Sequence, residues 1–143
     1  VAREMGGAKS DEFYAPTPPL EAKRLLFSEA ATNRRFGKQE KKLLFIDVRK
    51  AYFNAKVDQP TFVELPPEMQ WAGYCGRLFR CMYGTKRAAM RWEDTYTQAL
   101  GRLGFAQGRA SPCCFTHKTR DLRLVVHGDD FAFAGSAADL YIL

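Results

Sequence analysis

The chain has 143 residues, 46% of them hydrophobic and 27% charged, with a net charge of +6; this suffices for one domain with a real core and is ordinary for a soluble globular protein. No stretch nears the roughly eighteen apolar residues of a membrane span, and "VAREMGGAKSDEF" has no apolar segment of the kind a signal peptide needs, so neither a membrane location nor secretion is expected. The lack of an initiator Met and the apolar ending "GSAADLYIL" suggest a fragment of a longer protein.

In chain order, "TPPLEAKRLLFSEAATN" (17–33) reads as a helix starting at Thr17 or Pro18, with Leu20, Leu25 or Leu26, and Ala30 on one face. "KLLFIDV" (42–48) is an apolar run ending in an acid, as a buried strand would look. "RKAYFNAKV" follows as a short helix or turn. "TFVEL" alternates and is stopped by Pro66 and Pro67, so it reads as a strand end. "GRLFRCMYG" suits another strand. "KRAAMRWEDTYTQALGRLG" (86–104) is the clearest helix: Ala89, Trp92, Tyr96, Ala99, Leu100 and Leu103 form its stripe, and Gly104 is placed to cap it. Trp92, Tyr96 and Leu103 are read as core rather than as a platform for bases. "CCFTHK" and "LRLVVHGDDFAFAG" read as strands with turns at "TRD" and "HGD", and His117 is expected to be exposed. Glu64 alternates with Phe62 and Leu65 and is expected to face solvent. The order implies an α+β fold, a ferredoxin-like antiparallel sheet backed by helices.

The cysteines at 75, 81, 113 and 114 lack zinc-knuckle spacing and read as reduced intracellular thiols. The positive charge is unevenly placed. "NRRFGKQEKK" (33–42) has five basic residues and one acid, and Met69 to Trp92 contains no acid while holding Arg77, Arg80, Lys86, Arg87 and Arg91. Interleaved with Tyr74, Phe79 and Tyr83, that stretch suits a phosphate backbone as well as a solvated face.

The segment "VVHGDDFAFAG" (125–135) sets Asp129 and Asp130 side by side in a tight turn. Asp favours turns, so a solvated turn is the plain explanation. Their mutual repulsion nevertheless calls for a cation, and Asp47 closes the apolar strand "LLFID". Carboxylates converging at strand ends make a hard oxygen site suited to Mg²⁺. Two such ions about 3.5–4 Å apart can activate a 3′-hydroxyl and stabilise a leaving pyrophosphate.

Three stretches in series, "LLFIDVRKAYFNAKVDQPTFVELPPE", "GRLFRCMYGTKRAAMRWEDTYTQALGRLGF" and "ASPCCFTHKTRDLRLVVHGDDF", resemble the reverse transcriptase of copia-type LTR retrotransposons, from about Asp11 onward and more weakly from Val1. The resemblance implies a polymerase palm with partial fingers and no thumb, residues 1–42 being fingers-like and 43–143 palm with a fingers insertion. It implies an RNA-directed DNA polymerase that uses two Mg²⁺ ions (Mn²⁺ as a substitute), a primed RNA or DNA template, and dNTPs. The rest of the pol polyprotein would be a partner, with no membrane, and the location would be a cytoplasmic virus-like particle.

By the same resemblance, Asp47 matches the first catalytic aspartate, and Asp129 and Asp130 match the pair of the family's Tyr-x-Asp-Asp hairpin. Val48 matches a residue whose carbonyl can bind metal. Tyr52 falls at the aromatic gate that leaves no room for a 2′-hydroxyl. Tyr83 and Gly84 match the turn before the long helix, which contacts nucleotide and template, and Lys86 and Arg87 follow it near phosphates. His127 and Gly128 stand where the family carries Tyr and its neighbour, on the primer side. Met90 stands where the family carries arginine, with Arg91 as a replacement. By the family pattern, the fingers arginine and lysine that hold a triphosphate fall largely before Val1, and Arg3 is a weak candidate for one of them.

Other readings remain beside this one. The first is a truncated retroelement remnant that only binds nucleic acid. The second is an RNA-dependent RNA polymerase, although "DVRKAYF" offers Tyr52 and Phe53 where such an enzyme would need an acid. The third is a nucleotidyl cyclase, of whose Gly-Gly-Asp hairpin "VVHGDD" keeps only half.

Overall fold

The structure, a computed structural model, describes residues 16–32 and 40–143. Arg3 and residues 33–39 of the first basic run lie outside the described residues. The described chain divides into two compact units, one containing Lys50–Tyr96 and the other Pro16–Arg49 with Thr97–Leu143.

The second unit is built on a five-stranded sheet. Its strands are β1 (Lys41–Asp47), β4 (Phe105–Gln107), β5 (Cys114–His117), β6 (Arg123–His127) and β7 (Asp130–Ser136). They are ordered β1-β7-β6-β5-β4, and every neighbouring pair is antiparallel. The expected antiparallel sheet with helices is therefore present. The first strand is carried across the sheet to pair with the last, which brings the two ends of the sequence pattern together.

Central β6 buries three consecutive residues, Leu124, Val125 and Val126. Successive side chains of a strand point to opposite faces, so both faces there are covered. Helix α1 (Leu20–Thr32) covers one face, packing Leu26 and Ala22 against Val125, Ala132 and Ala134. Leu26 is the one buried residue of α1, while Leu20 and Leu25 are exposed, so the expected stripe is narrower than its sequence pattern. An ion-pair chain with buried Lys41 at its centre ties the same helix to the sheet. Lys41 Nζ lies 2.6 Å from Glu29 and 2.8 Å from Asp121, and Arg123 takes the other Glu29 oxygen.

In the first unit, a 3₁₀ turn (Ala51–Asn54) leads into a two-stranded ribbon, β2 (Lys56–Val63) and β3 (Gly76–Arg80). β2 starts earlier than the alternation of "TFVEL" suggests. Pro60 sits inside it, where the register shifts between Lys56 and Thr61. Proline is tolerated there because a ribbon strand has a free edge and a bulge leaves backbone groups unpaired.

Helix α2 (Ala88–Arg102) contributes Ala88, Trp92 and Tyr96 to the core of the first unit and Leu100 to that of the second. Leu103, expected in the core, is exposed, because the helix ends before it and Gly104 turns the chain with φ 92°. Two short elements carry no period long enough to read: β4 and the four-residue helix α3 (Ala137–Leu140), whose start is capped by Ser136 accepting from the Asp139 amide. His117 is half-buried rather than exposed. Its Nδ1 accepts from the amides of Thr119 and Arg120, closing the turn into β6.

Candidate metal and nucleotide site

β1 and β7 run antiparallel in a register that sets Asp47 opposite Asp130. β6 and β7 are joined through a two-residue turn, Gly128 and Asp129, with His127 opposite Asp130. Gly128 has φ 67°, which matches the first central position of a type II′ turn, where glycine is preferred. The turn is held from the other side as well. The Val48 amide, one residue beyond β1, donates to the Asp129 carbonyl at 3.0 Å.

Backbone pairing on both flanks therefore fixes the three carboxylates. A ligand oxygen from each of Asp47, Asp129 and Asp130 lies within 4.8 Å of the others, and all three residues are exposed. Among the described residues no other group of His, Cys, Asp and Glu meets this condition. The donor set is all oxygen and fully anionic, the chemistry that suits a hard divalent cation such as Mg²⁺ or Mn²⁺. Strand ends that concentrate like charge in this way gain from such a cation.

Beside the acids, within the same unit, lies a cavity of about 370 Å³ lined by Leu26, Phe27, Phe45, Ile46, Val125 and Phe131, with Lys23, His127, Asp47 and Asp130 at its polar end. Lys23 Nζ is 3.0 Å from His127 Nδ1. An ammonium has only donors, so Nδ1 is the accepting side of this contact. Lys23 escaped the sequence reading because nothing local in "PLEAKRLL" marks it, and its partner is 104 residues away.

The other site residues expected from sequence lie in the first unit. Tyr52 and Tyr83 stack with centroids 4.4 Å apart, and Phe53 tilts against Tyr83 at 5.9 Å. Gly84 has φ 93° in a turn closed by the Thr85 amide donating to Met82 O at 3.1 Å, so that position favours glycine. Lys86 is half-buried just after it. Arg87 pairs with Asp58 at 2.7 Å and Arg91 with Asp94 at 2.8 Å, and Arg91 Nε also donates to the Lys56 carbonyl at 3.4 Å. Both arginines expected near nucleic acid thus have acidic partners inside their own unit.

The described residues contain no helix long and apolar enough to cross a membrane. The profile of the reverse transcriptase (RNA-dependent DNA polymerase) family matches residues 2–141. The chain is similar to the putative transposon Ty5-1 protein of Saccharomyces cerevisiae, 27% identical over 101 residues, an alignment covering 67% of this chain and 33% of that protein. It thus spans about a third of that relative's length. No solved structure matches the chain.

Proposed function

The chain belongs to the reverse transcriptase (RNA-dependent DNA polymerase) family, and from that premise we propose that it is the palm and part of the fingers of a copia-type LTR retrotransposon reverse transcriptase. Residues 1–42 would be fingers-like and 43–143 palm with a fingers insertion. The reaction is transfer of a deoxynucleotide from a dNTP to a primer 3′-hydroxyl on an RNA or DNA template. The observation that carries the proposal is the convergence of Asp47, Asp129 and Asp130 at paired strand ends.

In this reading Asp47, Asp129, Asp130 and the Val48 carbonyl hold the metal. Divalent cations bound there supply activation of the attacking hydroxyl and neutralisation of the leaving pyrophosphate. The carboxylates contribute position: β-pairing on both sides of the hairpin keeps them at fixed separation, so little reorganisation is left for the reacting state. Tyr52 excludes a ribose 2′-hydroxyl, and its stacking on Tyr83 restrains the ring for that purpose. Tyr83, Gly84 and Lys86 contact the dNTP. Arg87, Arg91, His127 and Gly128 contact nucleic acid, with His127 offering a ring N–H where the family has a tyrosine. Template base pairing supplies sequence choice, and the remaining pol segments, in a cytoplasmic particle, complete the machine.

The test is primer extension on poly-A with labelled dTTP and Mg²⁺. It compares this chain, a version lengthened at both ends, and Asp129→Asn in each. Extension by the longer wild type and none by its Asn variant is expected. Failure of both wild types to extend a primer that they nevertheless bind would replace this reading with that of a nucleic-acid-binding remnant.

A further inference from the structure

In the second unit, the strand register draws His127, Asp130 and Asp47 into one row. His127 is the partner of Asp130 across β6 and β7, and Asp130 is the partner of Asp47 across β7 and β1. Register partners point to the same face of a sheet. The next row on that face is Val125, Ala132 and Phe45, and Val125 and Ala132 pack there against α1. The row of His127 and the two acids therefore lies on the face that α1 covers. Lys23, near the start of α1, reaches the His127 end of the row, with Nζ 3.0 Å from Nδ1. It also lines the cavity with Phe27 and Phe45. Lys23 is half-buried and His127 exposed, so the ring is held from the protein side and open on the other.

We propose that Lys23 is a positioning residue of this site: by engaging Nδ1 it holds the His127 ring so that Nε2 carries the ring hydrogen and donates it to the last phosphodiester of a primer whose 3′ end lies at the acids. The proposal rests on the polymerase reading for the identity of the strand, and it adds a residue from another element, 104 positions away. Neighbouring strands stand about 4.8 Å apart, so His127 is one strand from Asp130 and within reach of the same nucleotide. The ring needs an anchor because Asp130 faces it directly. A ring free to turn would donate to that carboxylate and occupy an oxygen that a cation needs. A neutral imidazole that accepts at one nitrogen donates from the other, so the anchored ring cannot turn over without losing Lys23. A hydrogen bond to a charged phosphate oxygen is also stronger than one between neutral groups. The ammonium further offsets part of the repulsion that Asp47, Asp129 and Asp130 exert on an incoming phosphate.

The test is fluorescence anisotropy of the full chain in Mg²⁺ with a labelled primer–template over a range of salt, alongside Lys23→Met, His127→Phe and the double variant. Each is measured on an ordinary primer and on one whose last phosphodiester is a methylphosphonate, which lacks the charged oxygen. No nucleotide is added, so the readout needs no turnover: a chain that binds primer and fails to extend it would count against the polymerase reading and leave this measurement intact. His127→Phe should weaken binding about tenfold and Lys23→Met about fivefold. The double variant should bind as His127→Phe does, because Lys23 acts through the ring. On the methylphosphonate primer each single loss should shrink to about twofold. Lys23→Met should leave the salt slope unchanged, since Lys23 itself meets no phosphate. Additive losses in the double variant, or a slope lower by about one in Lys23→Met, would show Lys23 holding phosphate directly and would overturn the proposal. Binding unchanged by Lys23→Met would overturn it too, as would losses as large on the methylphosphonate primer as on the ordinary one. A wild-type chain that binds no primer–template would overturn both this proposal and the polymerase reading.

Discussion

Asp47 and Asp130 face each other directly across the antiparallel pair of β1 and β7, so the fold sets two carboxylates at the closest cross-strand position. Like charges directly opposite one another destabilise a sheet by up to about 1 kcal/mol. In chelator, Asp130→Asn should therefore unfold at a higher urea concentration than wild type. Millimolar Mg²⁺ should raise the wild-type midpoint, because a ligand that binds only the folded state stabilises it, and should leave the variant's midpoint where it was. A variant less stable than wild type in chelator would mean that the acids are held by contacts other than a bound cation.

Lys41 carries a second, structural charge cluster. Its side chain is only 6% exposed and reaches Glu29 and Asp121 together. Lys41→Met should cost about 2 kcal/mol in urea unfolding, the loss of charge-assisted hydrogen bonds at a buried group. Arg123 remains on Glu29, so the cost stays below that of stranding a buried carboxylate with no partner. The double variant Lys41→Met with Glu29→Gln should recover part of the loss, and an additive double variant would show that the two residues do not act as a pair.

The sequence was most legible where a period and a chemical type coincided. "LLFID" and "VVHGDDF" each combine an apolar run with an acid at its end, and the structure pairs those strands with the acids in register. α2 was legible because its stripe is long. β2 was partly hidden, since Pro60 interrupts its alternation and the compensating bulge is a property of the pair. Lys23 beside His127 and Asp58 beside Arg87 were invisible, because a contact between distant segments leaves no mark in either one. Leu103 was misplaced because a helical stripe continues in sequence past the point where Gly104 ends the helix.

Glu93 gives a pH-dependent stability. Burial first, and the neighbouring Asp94 second, raise its carboxyl above the ordinary value of 4.5. The folded state therefore holds this proton to a higher pH than the unfolded state does. Its contribution is complete below the ordinary value and is lost as pH rises through the raised one. Glu93→Gln, which cannot ionise, should be more stable than wild type at neutral pH, and the gap should close as pH falls below the ordinary glutamate range. Urea midpoints at a series of pH values measure this; a gap that widens toward low pH would reverse the assigned direction.

The four cysteines should separate by accessibility. All are free thiols: Cys75 is exposed, Cys114 half-buried, and Cys81 and Cys113 buried. Thiolate is the reactive form, so both access and ionisation set the rate. At Cys81 burial pushes the thiol pKa up; nearby Arg91 opposes this and Asp58 reinforces it. The Cys81 sulfur also donates to the Lys56 carbonyl at 3.6 Å, and the Cys113 sulfur to the Pro16 carbonyl at 3.0 Å. Iodoacetamide at mildly alkaline pH, read by peptide mass spectrometry, should label Cys75 first and Cys114 next, and Cys81 and Cys113 only as the protein opens. Urea should bring the last two up to the Cys75 rate. Labelling of Cys81 as fast as Cys75 in native buffer would mean that the link between the 3₁₀ turn and β3, where the Cys81 amide donates to the Ala55 carbonyl at 2.9 Å, opens readily in solution.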